Sequence, residues 1–570
     1  MASADRERDL MLERDGAAPT REHAADPVVD RAPAAWFLSS AERGNPATAI
    51  DRRRAGVAWT RGSHGRLLLD GATYFARLHE ELCSTRAGDT VLFTDWEGDA
   101  DERLADDDHG GEGSEIGSVL ADLARRGVQV FGLLWRSHTK AINFSAEANL
   151  DLARTVNEAG GEVLLDQRVR RGGSHHQKLV VIRRADAGDA RDDVAFVGGI
   201  DLCHGRRDDG RHLGDPQAAT LKAQNYGEQP PWHDTQLELH GPAIDDIEWT
   251  FRERWEDPNP LDTRNPWRAL WHRRALRPTN PTPLPRPVTR DGDGPLAVQM
   301  LRTYPSRRRR YPFAPDGERS IARAYGKAFR RARRVLYLED QYLWSFDAAE
   351  QLTLALRREP ELRVVIVIPR FPDPDGYFAG NASHIGREYV LDALSEAGDG
   401  RVAVYDLENH DGVPIYVHSK VCVIDDLWLA VGSDNLNRRS WTHDSEISCA
   451  VIDSRRDQRE PRDPAGRGEG ARRIARDARV SLSAEHLGRS PDDTDDLVDP
   501  DSWFDAMRDS AHALDDWHAA GRRGPRPAGH LRVHPVERVR GFHRLGHQLI
   551  HRVFLDPDGR PTAMRRASEF

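Results

Sequence analysis

The stretch from His175 to Ile182 reads HHQKLVVI, and the stretch from His418 to Ile424 reads HSKVCVI. Each sets a histidine two residues before a lysine and runs straight into four apolar residues. Each then passes through a polar loop to a second apolar run that ends in a small-residue turn, AFVGGIDL at 195–202 and LAVGSDNL at 429–436. The histidines and the lysines recur at an offset of 242 residues and the turn glycines at 234, so the first copy carries eight extra residues, matching the polar loop RRADAGDARDD. Short apolar runs bounded by turns read as buried strands. A histidine–lysine pair alone means little. The pair His138 and Lys140 leads into AINFSAEANL, with no strand and no glycine turn, and reads as an ordinary loop pair.

Outward from these two stretches the same order of elements repeats. Before the first, the pattern predicts a helix over Ala72–Leu82, a strand over Thr90–Thr94, a helix over Ser114–Arg126, a strand over Val128–Leu134, a helix over Ala146–Ala159 and a strand over Glu162–Leu165. Before the second it predicts a helix over Ser320–Ala332, a strand over Arg334–Leu338, a helix over Ala348–Leu356, a strand over Leu362–Ile368, a helix near 385–396 and a strand over Val402–Tyr405. Helices alternating with nearly continuous apolar strands argue for an α/β layer with a mostly parallel sheet. The chain is therefore expected to hold two copies of one α/β unit. The expected division is a mobile tail over 1–50, a first half over 51–256, a Pro-rich connector over 257–295, a second half over 296–455, and a charged loop with a C-terminal extension over 456–570.

Composition sets the bounds. The 570 residues carry 82 Lys+Arg against 93 Asp+Glu, for a net charge of −11. That makes non-specific nucleic-acid binding a poor default. No stretch has the length of apolar residues a membrane span needs, and the N-terminal residues lack a signal-peptide core, so a cytoplasmic protein is expected. The 4 cysteines show no paired spacing and read as buried reduced thiols. Only five of the 82 basic residues are lysine, and two of those five are Lys178 and Lys420 of the repeated stretches.

These segments resemble the duplicated HxKxxxxD motif of the phospholipase D superfamily, and in particular the phosphatidylcholine-cleaving phospholipases D. AFVGGIDLCHGRRDDGRH (195–212), PPWHDTQLELHGPA (230–243), LEDQYLW (338–344) and IYVHSKVCVIDDLWLAVGSDNLNRRSWTHDSEISCAVID (415–453) extend the resemblance over roughly 70–455. It implies an α/β fold of two pseudo-symmetric α/β/α sandwich halves, with mixed, mostly parallel sheets and an active site at their interface. One position departs. The motif's aspartate is present as Asp425 in the second copy, where the resemblance counts it with the catalytic residues, but is Arg183 in the first, where Asp192 or Asp193 could replace it structurally.

The residue types suit a phosphodiester. Its anionic oxygens repel nucleophiles and its alkoxide is a poor leaving group. One neutral imidazole can attack phosphorus and a second, protonated, can supply the proton to the leaving oxygen. The resemblance implies that His176 is the nucleophile, through a phosphohistidine, and His418 the acid/base; the sequence alone does not fix that order. Lys178 and Lys420 would stabilise the charge on the equatorial oxygens without a metal ion, and no metal-ligand cluster is read in the chain. Asp234 and Glu446, each opening an apolar-alternating strand, are the candidates to orient the histidines. Gly199, Asp201, Ser433 and Asn435 occupy the turns, where small residues let backbone approach the phosphate; Asp201 reads equally as a structural group or a substrate contact. The resemblance implies a phospholipase D without a cofactor. It would cleave phospholipid headgroups to phosphatidic acid at a membrane surface, by hydrolysis or by transfer to another alcohol, as a monomer. A nucleic-acid phosphodiesterase and a non-catalytic lipid-binding homologue are the alternatives.

Overall fold

A computed structural model describes residues 30–52, 56–105, 113–136, 146–217, 225–261, 281–371, 377–536, 551–567 and 569–570. The pair His138 and Lys140 and residues 1–29 of the expected tail lie outside them.

The first sheet is built from β1 (His64–Leu69), β2 (Thr90–Asp95), β3 (Gln129–Trp135), β4 (Glu162–Asp166), β5 (Leu179–Arg183), β6 (Val194–Gly198) and β7 (Thr235–His240). The second is built on β8 (Gly294–Tyr304), β9 (Val335–Glu339), β10 (Arg363–Val367), β11 (Val402–Glu408), β12 (Val421–Ile424), β13 (Trp428–Gly432) and β14 (Glu446–Asp453). Their spatial orders are β1-β7-β6-β5-β2-β3-β4 and β8-β14-β13-β12-β9-β10-β11. The second order is the first with every strand advanced by seven, and the strand directions match pair for pair.

The expectation of mostly parallel sheets is corrected. Only β2-β3-β4 and β9-β10-β11 run parallel. The other four pairings in each seven-strand set are antiparallel. Alternation of helix and strand forces parallel pairing only where a helix makes the crossover, and β5, β6 and β7 follow one another through loops.

The helices repeat as well. α1 (Gly71–Cys83), α2 (Ile116–Arg125) and α3 (Ala146–Glu158) interleave with β1–β4, and α4 (Ala243–Trp255) follows β7. α5 (Ser320–Phe329), α6 (Phe346–Arg358) and α7 (Tyr377–Gly398) interleave with β8–β11, and α8 (Arg473–His486) follows β14. The central strands β2, β5, β6, β9, β12 and β13 bury both faces, hence their unbroken apolar sequences. On β3, Phe131 and Leu133 join a core between the two sheets that also holds Ile244, Ile247 and Phe251 of α4 and Ile474, Ala478 and Leu482 of α8. Val130 and Leu134, on the other face, pack with Leu120 of α2 and Leu152 of α3. The layers thus run helices, sheet, two inner helices, sheet, helices.

Three expected boundaries move. Residues 30–50 are not a tail, because Trp36, Phe37 and Leu38 are buried in the outer core of the second half. The amide of Leu38 donates to Gln299 Oε1 on β8 at 2.9 Å. Residues Thr60–Gly62, expected in the first half, pair antiparallel with β8 of the second. α8 lies inside the segment read as a charged extension, yet it is the counterpart of α4 and completes the second copy. Beyond it, α9 (Pro500–Ala519) and the strand Leu531–Val533 cover and extend the sheet at β11. The four cysteines are unpaired, but Cys83 is exposed rather than buried. No helix among the described residues is long and apolar enough to cross a membrane.

Candidate active site

The repeated stretches meet because each lead-in to a motif strand pairs with the other half. Trp232–His233, just before β7, runs parallel to Pro414–Val417, just before His418, in the register Tyr416↔Trp232 and Val417↔His233. The pseudo-symmetric contact is a parallel bridge between His175 and Ser445, just before β14. The amide of His418 donates to the His233 carbonyl at 2.8 Å, and that of His176 to the Ser445 carbonyl at 2.9 Å. His176, Lys178, His418 and Lys420 therefore sit on extended backbone immediately ahead of β5 and β12, not on those strands.

This pairing crosses the acids. His176 Nδ1 lies 2.9 Å from Glu446 Oε2, and His418 Nδ1 lies 2.6 Å from Asp234 Oδ2. Each histidine of one half is oriented by the carboxylate of the other, so neither half holds a complete pair. With Nδ1 committed, each imidazole is left Nε2 for chemistry. The turns serve the same contacts. Ser433 donates to Glu446 Oε2 at 2.6 Å. Gly199 takes the equivalent place in the first half, where a Cβ would stand 2.2 Å from Asp234 Oδ1. Only glycine leaves Asp234 room there.

The lysines are fixed differently. Lys178 Nζ lies 3.3 Å from Asp201 Oδ1. Asp201 also accepts from the amides of Trp96 and Glu97 at 3.2 and 3.4 Å, so it holds the lysine and shapes the loop behind it. Lys420 Nζ donates to Gln341 Oε1 at 3.2 Å and to the His418 carbonyl. Asn435, at the place of Asp201, is buried with its Oδ1 unpartnered.

Burial dominates the electrostatics. Desolvation, then the ammonium groups of Lys178 and Lys420, hold His176 well below the usual imidazole range, against the opposing pull of Asp201. It is neutral near neutral pH. Burial lowers Lys420 to about 8, with Lys178 adding to the fall and Asp234 and Asp340 opposing it. Burial raises Asp234 and Glu446, against the nearby lysines.

Asp425 is not part of this cluster, contrary to its expected place among the catalytic residues. It lies at the far end of β12 from Lys420 and accepts from the amides of Arg333, Arg334 and Val335 at 2.7–3.2 Å, fixing the start of β9. Arg183 is its counterpart at the far end of β5, where it pairs with Asp193 at 3.0 Å, Asp245 at 2.7 Å and Glu248 at 2.7 Å. Both positions anchor strand ends, with opposite charge.

A second cluster adjoins the first, and it corrects the reading that the chain holds no metal-ligand cluster. Asp70, His212, His233 and Glu485 each bring one ligand atom to within 4.8 Å of the others. His233 Nδ1 lies 3.3 Å from Asp70 Oδ1 and 3.0 Å from Glu485 Oε1, and His212 Nε2 lies 3.6 Å from Glu485 Oε1. None of these four atoms is aligned for a hydrogen bond. The opposite ring nitrogens are committed, His212 Nδ1 to the Trp232 carbonyl at 3.2 Å and His233 Nε2 to Glu339 Oε2 at 2.9 Å. Asp70 and His212 hold φ of 63° and 51°, outside the ordinary range for such residues. Three of the six spacings, 3.0–3.6 Å, lie near the edge of about 3.3–3.6 Å of a tetrahedron with metal–ligand bonds of about 2.0–2.2 Å, and the two imidazoles and two carboxylates are a donor set suited to a divalent cation. Their positions are scattered from 70 to 485, which no local spacing could reveal.

Sequence reasoning also missed Glu339, Gln341 and Ser419. Glu339 Oε2 accepts from the Ser419 hydroxyl, between the two motif residues of the second copy, as well as from His233. The signal was present in the segments LEDQYLW and PPWHD, which were read for resemblance rather than for roles.

A family model described as Phospholipase D matches residues 84–349 and 398–548, and one described as cardiolipin synthase, PLD-like domain, matches 328–460. The fold and the duplicated site thus define a two-half protein with one composite centre, and the chain belongs to the phospholipase D family. Among curated proteins it is 25% identical over 541 residues to phospholipase D beta 2 of Arabidopsis thaliana, covering 74% of this chain and 57% of that protein. It is 25% identical over 450 residues to phospholipase D alpha 1 of Vigna unguiculata, covering 58% of this chain and 54% of that protein. The chain thus spans little more than half the length of these relatives. The crystal structure of phosphatidylserine synthase from Haemophilus influenzae aligns with a TM-score of 0.45 at 14% identity, over 69% of this chain and 82% of that one.

Proposed function

We propose that the protein cleaves the headgroup phosphodiester of glycerophospholipids, leaving phosphatidic acid on the lipid side. The observation that carries this reading is the crossed pair of histidine–carboxylate contacts, His176–Glu446 and His418–Asp234, with a lysine two residues beyond each histidine. His176 Nε2, neutral at the pH of interest, attacks phosphorus. The P–O bond to the headgroup breaks, and its oxygen takes the proton from His418 Nε2. His418, now neutral, removes a proton from water. The resulting hydroxide displaces His176 from phosphorus, releasing phosphatidic acid and restoring both imidazoles. An alcohol in place of water gives transphosphatidylation. Lys178 and Lys420 face the charge that builds on the equatorial oxygens. The likeness to plant phospholipases D supports a lipid substrate over a nucleic acid, as does the net charge of −11.

The test is release of choline or ethanolamine from phosphatidylcholine or phosphatidylethanolamine, with acid-quench trapping of the phosphorylated protein. Label on His176, lost in His176→Ala and retained in His418→Ala with an activated leaving group, is the expected result. Cleavage of DNA but of no phospholipid would reject the lipid reading. Tight lipid binding without any turnover would favour a non-catalytic homologue.

A further inference from the structure

The site's rim at His176 joins a concentration of arginines drawn from distant parts of the chain. Arg170 donates to the Gly559 carbonyl at 2.5 Å and to the Ser306 carbonyl at 3.5 Å. Arg319 donates to Ser306 Oγ at 2.8 Å. Arg439 donates to the Gly172 carbonyl at 2.9 Å. These contacts draw the segments around 170, 306 and 560 onto one face. The exposed residues they bring there are Arg171, Arg308, Arg309, Arg565 and Arg566.

Among the described residues none of those five guanidinium groups has an ion-pair partner, whereas the neighbouring Arg310 pairs with Asp316 at 3.6 Å. Beneath them the crowding is already felt. Burial and then Arg565 lower Arg170, and burial followed by Arg323 and Arg560 lowers Arg319 to about 10. The acids that face the group, Asp316, Asp558 and Glu569, are fewer than the cations. A chain of net charge −11 has no general reason to leave such a patch uncompensated. Arg171 is five residues from His176, whose side chain is 16% exposed.

We propose that this face docks the protein on an anionic phospholipid surface, with Arg171, Arg308, Arg309, Arg565 and Arg566 against the phosphates of the bilayer and the His176 side of the cleft turned toward the lipid. The inference rests on the lipid reading above, but it concerns where the protein meets a bilayer. The summed charge attracts such a surface over about a Debye length and orients the otherwise acidic molecule as it arrives. Each arginine near an anionic leaflet strengthens binding roughly five-fold.

The test uses the full chain carrying His176→Ala, so that binding is read without turnover. It is sedimented with vesicles of phosphatidylcholine alone and of phosphatidylcholine mixed with phosphatidylglycerol. Retention is expected on the mixed vesicles only, and it should fall as salt is raised. Replacing the five arginines with glutamine should weaken it by roughly 100-fold or more. A control set, Arg191→Gln, Arg211→Gln and Arg508→Gln, removes arginines that pair with neighbouring aspartates and should leave retention unchanged. Equal retention on both vesicle types would overturn the proposal, as would equal loss in the control set or retention by a DNA duplex in place of vesicles. Turnover of a soluble short-chain substrate, measured in parallel without the His176 change, should survive the five substitutions. Its absence in the unsubstituted protein would count against the catalytic reading and leave the docking result standing.

Discussion

In the first half the motif strand ends in Arg183, clamped by three carboxylates; in the second it ends in Asp425, which gathers three backbone amides. In the first half the lysine leans on a carboxylate, Asp201; in the second it leans on an amide, Gln341. The first half places Gly199 against Asp234 where the second places Ser433 against Glu446. The sheets beneath these residues are the same sheet twice. Hydrophobic layering thus tolerates exchange of polar anchors at strand ends, while the centre is asymmetric. Two histidines in equivalent positions meet unequal surroundings.

The largest effect should come from removing either histidine. His176→Ala or His418→Ala should lower headgroup release by roughly 10,000-fold, since neither half supplies the other's step. Turnover near that of the unsubstituted protein in either variant would end the two-histidine account. The crossing itself is tested by Asp234→Asn against Glu446→Gln, each expected to cost roughly 100- to 10,000-fold on a natural headgroup. On the proposed assignment Asp234 orients the proton donor His418, so an aryl leaving group that needs no proton should rescue the first step in Asp234→Asn, and the phosphohistidine should accumulate. Glu446→Gln should gain no such rescue. If the aryl substrate rescues Glu446→Gln instead, the roles are reversed.

The strand-end anchors should respond in stability rather than in chemistry. Arg183→Ala removes the cation shared by Asp193, Asp245 and Glu248, of which Asp193 keeps Arg290 and Glu248 keeps Arg252, and should cost about 3 kcal/mol in urea unfolding. Arg183→Asp, which restores the residue type of the family motif, should be worse still, because it adds a fourth carboxylate to the three. Asp425→Ala strands three amides and should cost about 1–3 kcal/mol. In each case turnover per folded molecule should hold; a fall in kcat without loss of stability would place these residues in the chemistry after all.

The pH profile reads Lys420. Lys420 must be an ammonium to meet the phosphate, and with its free-enzyme value lowered to about 8 the charged form is lost as pH rises through that point. kcat/KM should therefore fall above about pH 8, while bound substrate moves the limb upward in kcat. Lys420→Arg should remove the limb from whatever activity remains, and an unchanged limb there would assign it to another group. The smallest effect should be Ser433→Gly, which gives the second half the glycine of the first. It costs Glu446 one hydrogen bond and should slow kcat several-fold at most.

The recurrence of histidine, lysine, apolar run and glycine turn at near-constant offsets was enough to establish duplication, the α/β class and the four central side chains. Those features are local, and a strand period or a turn is written in neighbouring residues. Asp425, at the far end of β12, was misplaced because a motif position does not say which way its side chain is needed. Sheet direction, the packing of Trp36–Leu38, Thr60–Gly62 and α8 on the second half, and the cluster of Asp70, His212, His233 and Glu485 are set by packing between segments far apart in the chain. So is the exchange of Asp234 and Glu446 between the halves. It follows from two short parallel contacts, Trp232–His233 with Tyr416–Val417 and His175 with Ser445, whose backbone hydrogen bonds carry no side-chain code. Side-chain pattern named the participants; only the closing of one sheet against the other decided which of them touch.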